Sequence, residues 1–76
     1  MNGKIIGHFK KLGFKYKKDI LGHYFDRNDT RLSIMISGPV YNCFCNKLVN
    51  GEFQLQDKQM NLINDDFVFR WMLLHT

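Results

Sequence analysis

The apolar positions change their period along the chain, and each change marks an element. Ile5, Phe9 and Leu12 recur at i, i+4 and i+7 with Ile6 beside them, so one helix face is apolar. Asn2 before this stripe and Gly13 after it supply a cap and a stop, and the pattern predicts a helix over residues 3–12. Phe14 and Tyr16 then alternate with Lys15 and Lys17, the period of a half-buried strand. Residues Ile20 to Phe25 continue or re-form that strand, with Gly22 marking a bulge or a close backbone approach. Arg27-Asn28-Asp29 is turn chemistry, after which Thr30, Leu32, Ile34 and Ile36 alternate with Arg31, Ser33 and Met35 as a second strand.

Ser37-Gly38-Pro39 breaks the second strand, and Val40 to Val49 form a third. Asn50-Gly51 is a two-residue type I′ turn signal leading into a fourth strand, Glu52 to Gln56. That turn sets Leu48 opposite Phe53 and Asn46 opposite Leu55, with Val40, Asn42 and Phe44 on the same face. Tyr41, Cys43, Cys45 and Lys47 stand on the other face across from Gln54 and Gln56, and this more polar set is expected to be partly exposed. Asn64 followed by Asp65 and Asp66 opens a second helix over about residues 65–75, with Phe67, Trp71 and Leu74 as its seam. An extended reading of Asp66 to Trp71 stays open. The predicted fold is α+β over residues 1–76 as one domain: helix, four-stranded antiparallel meander, helix, with both helices on one sheet face.

Length narrows the functional range. A chain of 76 residues cannot divide its apolar groups between two cores, and its 45% hydrophobic content is too rich for disorder. The net charge of +4 is concentrated: Lys4, Lys10, Lys11, Lys15, Lys17 and Lys18 fall in the first eighteen residues without an acid among them. Such a pole suits nucleic acid, an acidic protein groove or an anionic surface. Two cysteines are too few for a disulfide framework, and no segment has the length of a membrane span or the form of a secretory signal. The expectation is a soluble cytoplasmic protein without a cofactor. The second helix is apolar nearly all round, so it is buried between layers or pairs with another chain, and Trp71 and Met72 are either core residues or the contact of a homodimer.

Candidate chemistry is sparse. Cys43 and Cys45 project from one strand face and would need two of His8, His23 and His75 to complete a zinc site; the scattered histidines argue against it, and no metal is expected. His23, beside Gly22 and before Tyr24-Phe25, is the one candidate general acid or base. The stretch Phe9-Lys10-Lys11-Leu12-Gly13-Phe14, with Gly22-His23-Tyr24-Phe25 and Thr30-Arg31-Leu32-Ser33-Ile34, resembles HicA-type toxins. That resemblance implies a double-stranded-RNA-binding-domain-like fold and mRNA cleavage with His23 as the catalytic histidine.

Rings interleaved with cations from Phe9 to Lys18 point instead to binding without catalysis, by stacking on bases and neutralising phosphate. In size and character the chain is similar to the small anti-CRISPR inhibitors of phages and mobile elements. The leading expectation is a non-enzymatic inhibitor that docks on a nuclease or RNA–protein complex through Lys4, Lys10, Lys11, Lys15, Lys17 and Lys18. A HicA-like RNase and a generic nucleic-acid-binding module are the alternatives.

Overall fold

The computed structural model describes residues 1–76 and has the order α1 (Gly3–Lys11), β1 (Lys15–Lys18), β2 (Gly22–Arg27), β3 (Thr30–Ser37), β4 (Val40–Val49), β5 (Glu52–Leu62) and α2 (Asp65–Leu73). The chain is α+β, and its strands form one antiparallel sheet in the order β1-β2-β3-β4-β5. There are five strands, not four. The segment Ile20 to Phe25 does not continue β1, because Asp19 builds a turn: its Oδ1 accepts from the amides of Leu21 at 2.8 Å and Gly22 at 3.1 Å. This leaves Ile20 and Leu21 in solvent and folds Lys18 back opposite His23. Gly22 then meets a close approach, since a Cβ there would overlap the carbonyl oxygen of Ile34.

The helix ends follow the sequence. Asn2 Oδ1 accepts from the amides of Lys4 at 3.0 Å and Ile5 at 3.1 Å, and Gly13 leaves α1 with φ +94°. Asn64 Oδ1 accepts from Phe67 N at 3.0 Å, with Asp65 and Asp66 in the first turn of α2. The seam of α2 is not Phe67, Trp71 and Leu74 but Val68, Trp71 and Met72; Phe67 and Leu74 are exposed. A helix with apolar residues on every side leaves its rotation to the packing rather than to its own pattern. Of the two alternatives left by the sequence, Trp71 and Met72 take the place of core residues, 5% and 0% exposed.

Asn50 (φ 50°) and Gly51 (φ 82°) make the left-handed pair of a type I′ turn, and Leu48 stands opposite Phe53 and Asn46 opposite Leu55 as expected. β5 runs on to Leu62, well past Gln56. Two irregularities carry it: an extra residue at Gln56, and a second near Asn61, whose φ of 61° is held by its amide donating to Asn42 Oδ1 at 2.9 Å.

The registers define two faces. Tyr16, Phe25, Leu32, Cys45 and Asp57 make one cross-strand row, and Lys18, His23, Ile34, Cys43 and Gln59 the next row on the same face. Phe25, Leu32, Ile34, Cys43 and Cys45 share a single buried cluster with Ile5 and Phe9 of α1, Phe14, and Val68, Trp71 and Met72 of α2. The cysteine face is thus the core face, against the expectation of partial exposure. Gln54, Gln56 and Lys47, whose polarity suggested an exposed face, lie at the far end of the β4–β5 hairpin, where both faces are exposed.

Candidate functional site

His23 is built into the core. It is only 3% exposed, its Nδ1 shares a 2.7 Å hydrogen bond with the Tyr16 hydroxyl, and the two rings stack. Burial, reinforced by the Met1 ammonium and Lys18, lowers its pKa from the ordinary value and keeps the imidazole neutral. Tyr16, half-buried, has its own pKa raised by burial. The pair is a satisfied polar contact at the buried side of the sheet.

The cysteines are buried as well. Both are free and buried, and burial pushes the Cys43 thiol up to about 12 and raises that of Cys45. His8 stacks edge-on against Phe9 and Phe69, and His75 bonds Asp57 Oδ2 at 2.9 Å. The histidines and cysteines do not converge, and no group of three or more metal-ligating side chains forms.

All six N-terminal lysines are exposed, and none lies within an ion pair. They do not make one patch. Lys15 and Lys17 project from β1 onto the face opposite His23, whereas Lys18 projects onto the His23 face. Lys10 Nζ lies 5.6 Å from the Tyr16 ring centre, on the β1 side of α1. Lys4 borders a groove shared with Asn2, Ile5, His8, Asp66 and Phe69, and helical spacing puts Lys11 on that same flank.

The face that carries Lys15 and Lys17 continues across the sheet with residues distant from them along the chain. Its central row is Lys17, Tyr24, Ser33, Phe44 and Lys58, in register across all five strands. Two rings flank a serine and a cation stands at each end. With strands ~4.8 Å apart, Tyr24 and Phe44 are about 10 Å from one another. The adjoining row is Lys15, Asp26, Arg31, Asn46 and Leu55.

Arg31 organises this surface. Its guanidinium makes a two-pronged pair with Asp26, at 2.7 Å from Nε to Oδ1 and 3.0 Å from Nη2 to Oδ2, which raises its pKa further. Its plane lies 4.9 Å from the Phe53 ring centre and 6.0 Å from that of Tyr24, while Lys17 Nζ is 5.8 Å from Tyr24. Asp26 neutralises Arg31, which leaves Lys15, Lys17 and Lys58 as the unpaired cations of the face. None of its large apolar side chains belongs to the buried cluster; Tyr24, Met35 and Phe44 are half-buried and Phe53 and Leu55 exposed.

Part of the signal for these residues is present in the sequence. The alternation of Arg31, Ser33 and Met35 with Leu32 and Ile34 sets one face of β3, and the Asn50-Gly51 register sets Phe44 and Phe53 on one face of the hairpin; the β3–β4 register that joins the two comes from the structure. Grouping charge along the chain rather than across strands hides them.

No family model matches this chain, and neither a characterised protein nor a solved structure matches it.

Proposed function

We propose that this protein is a non-enzymatic binding protein that contacts single-stranded RNA, free or displayed on an RNA–protein complex, through the sheet face bearing Tyr24 and Phe44. Residues of both helices share the buried cluster with the His23 face of the sheet, and on this reading the opposite face is the open one. The observation that carries the reading is the row Lys17–Tyr24–Ser33–Phe44–Lys58, where two half-buried rings suited to base stacking flank a serine and an unpaired cation suited to phosphate stands at each end. Arg31, already fixed by Asp26 and laid against Tyr24 and Phe53, is a second flat cation beside the row. Of the N-terminal lysines, Lys15 and Lys17 belong to this contact; Lys10 and Lys18 border it at the β1 edge, and Lys4 and Lys11 lie on the helical flank. Inhibition of an RNA-guided nuclease by occupying its RNA surface is a setting in which such a contact serves. RNA cleavage is disfavoured by the burial of His23.

Fluorescence anisotropy with a labelled oligouridylate at low salt tests the reading. Wild-type protein binds, and Tyr24→Ala and Phe44→Ala each weaken binding by about 1–3 kcal/mol, the usual worth of one base–ring stack. The RNA emerges intact. Absence of binding at low salt, or binding that both alanine variants retain in full, overturns it.

A further inference from the structure

The two edges of the sheet differ in length and charge. β1 has four residues, of which Lys15, Lys17 and Lys18 are charged alike. Short, lysine-rich edges discourage strand addition. β5 has eleven residues, no proline, and Glu52, Asp57 and Lys58 as its only charges. It is the last strand of the sheet, so no strand pairs with its outer backbone edge. It is exposed from Glu52 to Asn61, and it adds no residue to the buried cluster.

Part of the exposed apolar surface lies here: Leu48 and Val49 of β4 with Phe53, Leu55 and Met60 of β5. Between them stand Gln54, Gln56, Gln59 and Asn61, whose amides both donate and accept and so complement a copy of themselves. A charge of −1 along eleven residues gives little self-repulsion, unlike the three lysines of β1. Only 14 of 76 residues are buried in the monomer, which leaves stability to be gained by covering this edge.

We propose that β5 is a self-association edge, pairing antiparallel with β5 of a second copy of this chain to form one continuous ten-stranded sheet. Antiparallel pairing of identical edges requires a two-fold axis perpendicular to the sheet, so each contact is made twice and the assembly closes as a dimer. The same axis keeps the Tyr24–Phe44 faces of both copies on one side. The lysine-rich β1 edges then lie at the two outer ends, where they block further growth.

Sedimentation equilibrium over a wide concentration range, without RNA, tests this independently of the binding reading. Wild-type protein moves from 9.1 kDa toward twice that mass as concentration rises. Two variants at exposed positions set like charges against each other: Gln56→Lys/Gln59→Lys, and Gln56→Glu/Lys58→Glu. Each raises the dimer dissociation constant by at least about tenfold, since like charges face one another across the axis. An equimolar mixture of the two recovers a dimer. Wild-type protein that stays at 9.1 kDa throughout, variants that dimerise as well as wild type, or a mixture that stays monomeric overturns the proposal.

Discussion

His23 and Tyr24 are adjacent in β2, and the pleat sends them to opposite faces of one sheet. His23 is buried, bonded to Tyr16 and held neutral, whereas Tyr24 is half-buried with Lys17 and Arg31 over its ring. The histidine is the residue that chemistry singles out first, and the structure makes it part of the core. The tyrosine carries no signature of its own, and the role proposed for it rests on its cross-strand neighbours. In a small sheet protein, the face on which a residue stands decides its use before its chemical type does.

Substitutions on the two faces should therefore separate stability from binding. Phe25→Ala, on the core face, removes a fully buried ring and costs about 3–5 kcal/mol. A domain of this size rarely holds more than about that much, so circular dichroism should show the variant largely unfolded. Tyr24→Ala, one position earlier, should change unfolding stability by about 1 kcal/mol or less, while weakening RNA binding by about 1–3 kcal/mol. A Tyr24 variant that unfolds like Phe25→Ala would erase the distinction between the faces.

The cations give a smaller and more graded effect. Lys15→Glu/Lys17→Glu takes two cations off the proposed contact face. The slope of log affinity against log salt for single-stranded RNA should flatten by about 1.4, near 0.7 for each phosphate no longer neutralised. Lys4→Glu/Lys11→Glu, on the helical flank, should leave that slope nearly unchanged. Equal flattening by both pairs would restore the single N-terminal patch expected from charge order along the chain.

The smallest effect is on pH dependence, and it belongs to the core face. The pKa of His23 is lowered by burial, so the unfolded chain takes up a proton just below the ordinary value of 6.5 that the folded chain resists. Stability is thus full above that value and declines as pH falls through it. Asp57, whose pKa is lowered mainly by its bond to His75, adds a separate loss below the ordinary carboxylate value of 3.8. Urea unfolding at a series of pH values should show the first decline in wild-type protein and its absence in His23→Phe. An identical decline in both would assign it elsewhere.

Local signals are legible in the sequence and layer-level ones are not. Asn2, Gly13, Asn64 and Asn50-Gly51 fix their own backbone through caps and left-handed φ, and each stands where the residue types place it. Asp19 is equally local but is masked by Ile20 and Leu21, which continue an apolar run after it; its side chain bonds the amides of Leu21 and Gly22 and creates the fifth strand. The faces of β4 come out reversed because Gln54 and Gln56 report the exposure of a projecting hairpin, not the side that the core covers. The rotation of α2 and the grouping of Lys17, Tyr24, Phe44 and Lys58 depend on packing and strand order, which periodicity alone does not encode.

The side-chain resonances of the aromatic rings test the central claim most directly. On titration of isotope-labelled protein with oligouridylate, the ring signals of Tyr24, Phe44 and Phe53 should shift and broaden, while those of His23, Phe9 and Phe25 stay in place. Rings of the open face that remain still while signals of His8 or the α1 lysines move would contradict the account.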